Sequence, residues 1–79
     1  MSVSVVDEVW PRAQAALANS PFFELRELLV EARDGTLLIS GRVSSFYHKQ
    51  LAQEVVRSVC SDAEVVNSIS VKLADENAY

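Results

Sequence analysis

The 79 residues are 49% apolar and 23% charged, with seven Lys and Arg against eleven Asp and Glu, a formal net charge of −4. That composition is too apolar for a disordered chain and gives one small domain with a modest core. A net negative charge argues against nucleic acid as a partner, because phosphate binding needs a clustered positive field, and against purely electrostatic attraction to anionic lipid. The single cysteine, Cys60, excludes an internal disulfide framework. No apolar run approaches the roughly 18 residues that a membrane-spanning helix needs. The opening MSVSVVDEVW has no positive region and reaches acidic residues by position 7, so it does not read as a secretory signal. A cytoplasmic location is the expectation for the chain as it stands, and an envelope location if it is a domain of a longer exported chain.

Residues 1–6 are weakly patterned and expected to fray. From Asp7 a helix is expected to run to about Ala18, with Val6, Val9, Trp10, Ala13, Ala16 and Leu17 on one stripe. Asp7 is the candidate N-cap. Pro11 is tolerated best in a first turn, so the regular helix could instead start near Trp10. Asn19 and Ser20-Pro21 close it. Phe22 and Phe23 cannot both point the same way in an extended segment. One is expected to plug the end of the core and the other to be partly exposed, with a short helical turn near Ser20 as one way to arrange them.

Leu28 to Val43 reads as two strands joined by Asp34-Gly35, the pair that a type I′ two-residue turn prefers because both central residues need φ > 0. The register follows: Arg33 faces Thr36, Ala32 faces Leu37, Glu31 faces Leu38, Val30 faces Ile39, Leu29 faces Ser40 and Leu28 faces Gly41. Alternation puts Leu28, Val30, Ala32, Leu37, Ile39 and Val43 on a core face. Leu29, Glu31, Arg33, Thr36, Leu38, Ser40 and Arg42 share the other.

Ser44 or Ser45 caps a second helix running to about Ser61, with Leu51, Ala52, Val55, Val56, Val59 and Cys60 on its apolar stripe. Glu54 and Arg57 are spaced for a weak helical ion pair. Glu64 to Leu73 then alternates as a third strand, with Val65, Asn67, Ile69, Val71 and Leu73 sharing core parity. The tail from Ala74 is expected to be solvated. Strands joined through a helix should run parallel. The expected fold is therefore α+β, of order αββαβ: a three-stranded mixed sheet with two helices packed on one face. It forms one domain with a core over about residues 9–73.

That order, together with DGTLLISGRV, the helix SSFYHKQLAQEVVRSV and the closing strand EVVNSISV, resembles the BON domain, a module named for bacterial osmotic-stress and nodulation proteins. The resemblance covers roughly residues 9–73. It implies a non-enzymatic αββαβ domain of the kind found mostly in bacterial envelope proteins, binding phospholipid or mediating interactions beside other domains. It carries no short lipid-contact motif that maps onto residues of this chain.

The residues themselves offer no catalytic constellation, metal site or cofactor motif. Gly35 and Gly41 lie six apart within a hairpin and do not open a helix, so they are structural: Gly35 supplies φ > 0, and Gly41 leaves room for a helix or bulge over the sheet. His48 has no second ligand at metal spacing, and Cys60 sits on an apolar stripe as a small buried thiol. Asn67, if buried, must hydrogen-bond to backbone or water. Trp10, Phe22 and Phe23 are expected to complete the core, with insertion at a membrane interface as the alternative. The open sheet face presents Leu29, Leu38 and Val66 with Arg42 and Lys72, a candidate contact surface. The expected function is thus an interaction module that self-associates or docks a protein through that face or a strand edge, or else binds phospholipid peripherally.

Overall fold

A computed structural model describes residues 5–72, and the expectations for residues 1–4 and 73–79, Leu73 among them, fall outside it. The elements are α1 (Val5–Ala18), α2 (Phe23–Arg26), β1 (Leu29–Arg33), β2 (Thr36–Ser40), β3 (Arg42–Val43), α3 (Phe46–Val59), β4 (Glu64–Asn67) and β5 (Ser70–Val71). The α+β architecture is as expected, with a third, one-turn helix, α2, and a sheet whose order is β1-β2-β4.

Asp34 (φ 53°) and Gly35 (φ 80°) both take the left-handed conformation that a type I′ turn requires. The five pairs from Leu29–Ser40 to Arg33–Thr36 have the register that the turn dictates. Leu28, Val30, Leu37, Ile39 and Val43 are buried on the core face, with Ala32 half-buried. Leu28 also faces Gly41 as expected, its Cα 3.5 Å from where a Cβ at 41 would stand, although the ladder itself ends at Leu29–Ser40. Gly41 (φ 134°) separates β2 from β3. What the missing Cβ makes room for is Leu28 itself, whose Cδ2 would stand 2.6 Å from a Cβ at position 41. Neither a helix nor a bulge lies there.

The single third strand expected over Glu64–Leu73 is two short ones, β4 parallel to β2 and β5 parallel to β3. The register is nonetheless continuous across the break: Ile39 pairs with Asn67, and Arg42 with Ser70. The N–H groups of Ser68, Ser70 and Lys72 reach the carbonyls of Ile39, Gly41 and Val43 at 2.8–2.9 Å. Asn67 is half-buried and fully used. Its Nδ2 donates to Lys49 O (2.9 Å) and Gln53 Oε1 (3.2 Å), and its Oδ1 accepts from Ile69 N (3.1 Å), which pins the strand to α3.

α1 and α3 pack together over the inner face, enclosing Ala13, Leu17, Leu25, Ala52, Val56 and Cys60 with the strand residues. The helix start differs from expectation. Asp7 lies inside α1 rather than capping it, and Pro11 is in its interior. The ring costs the helix one backbone donor, since proline has no N–H to give to the preceding turn. In α3, Ser45 is the N-cap, accepting from His48 N at 3.1 Å. Glu54 accepts a long 3.4 Å bond from Gln50 rather than pairing with Arg57.

One contact had no local signal in the sequence. The Gln14 side chain of α1 docks on the outer edge of β1 as a strand would. Its Nε2 donates to Leu28 O, and its Oε1 accepts from Val30 N, both at 2.9 Å. The amide thereby satisfies part of an edge that would otherwise be open to pairing.

Candidate interaction surfaces

The open sheet face is built by parity. Because Val30, Leu37 and Ile39 point inward, Leu29, Leu38 and Val66 must point outward. Leu29 is 60% exposed and Val66 40%, while Leu38, flanked by Glu31 and Val66 in the register, is half-buried. Arg42 and Lys72 are exposed at the end of the face remote from the Asp34-Gly35 turn. Glu31 and Arg33 pair along β1 at 3.4 Å, an exposed contact of little energetic weight.

A second surface lies where α2 meets the first turn of α3. Phe23, Phe46 and Tyr47 are 66%, 67% and 64% exposed, and Phe22 is exposed beside them. Phe22, Tyr47 and His48 meet edge to face, with ring centroids 5.5–6.5 Å apart. The expectation that one of Phe22 and Phe23 plugs the core, and that Trp10 completes it, is therefore wrong. α2 turns its fully buried Leu25 inward, which leaves its neighbouring phenylalanines outside. Trp10 stays exposed against the outer edge of β1, lining a hollow of about 400 Å³ with Val30, Glu31, Ala32 and Arg33.

Polar contacts hold this aromatic end in shape. Glu24 Oε1 accepts from Ser44 N at 2.9 Å and lies 3.4 Å from His48 Nδ1, which is also 2.8 Å from Ser45 Oγ. Hydrogen bonding from Ser44, hydroxyl and N–H, holds the Glu24 carboxyl below its ordinary pKa, with a smaller attraction from His48 and partial opposition from burial. Around the rings the charge is mixed. Arg26 stacks 5.7 Å over Phe23, with Glu24 and the exposed Glu27 on the same short helix and its cap, whereas Arg42 and Lys72 belong to the open sheet face. The acidic residues Asp34, Asp62 and Glu64 lie at the opposite end of the sheet, beside the hairpin turn. Phe46 and Tyr47 escaped the sequence reading. The available signal was Phe46, which falls off the Leu51–Val55 stripe immediately after the Ser45 cap.

The groups able to do chemistry are dispersed. Among the described residues, no three of His, Cys, Asp and Glu converge as metal ligands would. Cys60 is buried, its Sγ 3.7 Å from Val9 O, and burial pushes its thiol pKa up, opposed only in part by Arg12. Its surroundings disfavour the reactive thiolate. No helix among the described residues is long and apolar enough to cross a membrane.

No curated protein matches the chain. The family model of the BON domain, a family of binding modules for phospholipid or protein rather than of catalysts, matches residues 12–72. That span runs from the middle of α1 to the end of the β5 ladder and takes in every strand and both α2 and α3. With the glycine-punctuated hairpin and the Asn67 strand in place, the chain belongs to the BON domain family.

Proposed function

We propose that this domain binds the surface of anionic phospholipid membranes peripherally, through the end formed by α2 and the first turn of α3. The observation that carries this reading is the grouping of Phe22, Phe23, Phe46 and Tyr47, all exposed, with Arg26 stacked over Phe23. Aromatic rings at the headgroup level gain from burying apolar area while their edges stay hydrated. Each basic residue held near an anionic surface adds about 1 kcal/mol. The acidic residues beside the hairpin turn lie at the far end of the sheet, and potentials are screened beyond about 8 Å at physiological salt. The acidic end then contributes little repulsion.

Co-sedimentation with neutral and anionic vesicles tests this. Pelleting is expected with anionic vesicles, weakened about fivefold or more by Phe23→Ser and again by Phe46→Ser, since each ring buries apolar area worth about 1 kcal/mol or more. No pelleting with either lipid refutes the reading.

A second reading is self-association or protein docking through the open sheet face. It is favoured by the exposure of Leu29 and Val66 on a face that no element among the described residues covers. The β1 edge is a weaker docking site, because Gln14 already occupies Leu28 O and Val30 N.

A further inference from the structure

We infer that the free half of the β1 edge takes an extended peptide segment of a partner protein, added to the sheet as a further strand with one side chain against Trp10. This surface is separate from the aromatic end and from the open sheet face. β1 is an outer strand, paired with β2 alone among the described residues. In an antiparallel ladder the N–H and C=O of one residue point the same way, and successive residues alternate. The Val30 N–H, held by Gln14, points away from β2. Val30 O and both backbone groups of Ala32 therefore point that way too. None of them has a hydrogen-bond partner among the described residues. They lie along the hollow of about 400 Å³ that Trp10 lines with Val30, Glu31, Ala32 and Arg33.

Gln14 shows what chemistry this edge accepts. Its Nε2 donates to Leu28 O and its Oε1 accepts from Val30 N, the bonds that one residue of a parallel neighbouring strand makes. A peptide continues the ladder from there. Laid parallel, one of its residues donates to Val30 O and accepts from Ala32 N–H, and the next but one donates to Ala32 O. Laid antiparallel, one residue exchanges both bonds with Ala32, and the next but one donates to Val30 O. Backbone bonds give the attachment and alternate side chains give the choice of partner.

The side-chain preference follows from parity. Val30 and Ala32 point inward, to the layer that holds α1. A peptide side chain level with Ala32 shares that parity and meets the indole of Trp10, which is 39% exposed, so an aromatic or large aliphatic residue fits there. The residues on either side of it run beside Glu31 and Arg33, whose ion pair leaves no net charge, so small polar residues suit them. Two other occupants fit worse. Lipid chains offer no donor or acceptor to the Ala32 groups. A second copy, pairing β1 with β1 about a two-fold axis at Ala32, bonds through the Ala32 pair alone. Its next pair sets Val30 against Asp34, where the chain has already entered the hairpin turn.

Amide NMR of the full chain, titrated to about 1 mM with the capped pentapeptide Val-Thr-Phe-Thr-Val, tests the inference. The Ala32 amide and the Trp10 indole should shift together with a Kd of about 0.1–1 mM, and exchange of the Ala32 N–H should slow several-fold. Trp10→Ala should weaken binding about fivefold or more with the circular dichroism unchanged, and serine in place of the peptide's phenylalanine should do the same. N-methylation separates strand addition from apolar adhesion. Methylating both Thr nitrogens should abolish binding to a parallel strand site, and methylating the Phe nitrogen should abolish it at an antiparallel one, with the other modification changing affinity less than about twofold. No shift at Ala32 with either phenylalanine or leucine at the centre overturns the inference, as does equal sensitivity to the two methylations or indifference to Trp10→Ala. Protection of the Ala32 N–H without peptide, together with a mass rising to that of a dimer, assigns the edge to a second copy and overturns it as well.

Discussion

Replacing Gly41 with alanine should be the most damaging single-methyl change in this domain, and the structure says by how much. Two costs add. The backbone sits at φ 134°, outside the conformations that L-residues adopt readily, at a cost of about 1–3 kcal/mol. The new Cβ would also stand 2.6 Å from Cδ2 of Leu28, a side chain that is itself buried. Displacing a packed leucine costs about 1–3 kcal/mol through off-rotamer strain. The sum, about 2–6 kcal/mol, is a large part of the roughly 4–12 kcal/mol expected of a domain this size. Gly35 is the internal control. It also has positive φ, at 80°, but a Cβ there meets nothing within 4 Å, so Gly35→Ala should cost only about 1 kcal/mol. Urea unfolding followed by circular dichroism measures both. With a slope of about 1–1.5 kcal/mol/M, Gly41→Ala should lower the midpoint by at least about 1.3 M, and Gly35→Ala by less than about 1 M. The steric part should show as coupling: Leu28→Ala with Gly41→Ala should cost about 1 kcal/mol less than the sum of the two singles. Equal midpoints for Gly41→Ala and Gly35→Ala would refute the assignment of Gly41 to the Leu28 contact.

Asn67→Ala removes three hydrogen bonds and strands the Ile69 N–H, so a loss of about 1–3 kcal/mol is expected by thermal or urea unfolding, with the sheet-to-α3 contact loosened first in hydrogen exchange. Glu24 gives an acid limb. Its folded pKa lies below the ordinary 4.5, so its stabilising contribution is present above that value and is lost as pH falls through the folded pKa. Unfolding followed from pH 7 down to about pH 3 should show a shallower acid loss in Glu24→Gln than in the wild type. Gln14→Ala frees Leu28 O and Val30 N on the β1 edge, and should cost about 1 kcal/mol and speed amide exchange at Val30 selectively.

Much of the fold is legible because it is set by near neighbours. Asp34 and Gly35 close a turn whose handedness fixes the pairing of β1 with β2, and alternation then decides which side of each strand is wet. Ser45 caps α3 because its oxygen meets an N–H three residues on. Even the parity of the Val65–Val71 stretch survives the break at Gly41, since the register does not slip. The open sheet face was readable for the same reason.

The aromatic end was not. Phe22 and Phe23 are separated from Phe46 and Tyr47 by the whole hairpin, and an apolar residue looks the same in sequence whether it fills a core or lies outside one. Only the docking of α2 across the start of α3, with Leu25 taking the inward position, decides that these rings remain in solvent. Gln14 on the β1 edge and Leu28 beneath Gly41 are of the same kind. Chain-local rules, turn chemistry and alternation, determined the strands. Distant contacts, which depend on where whole helices settle, determined the surfaces available for binding.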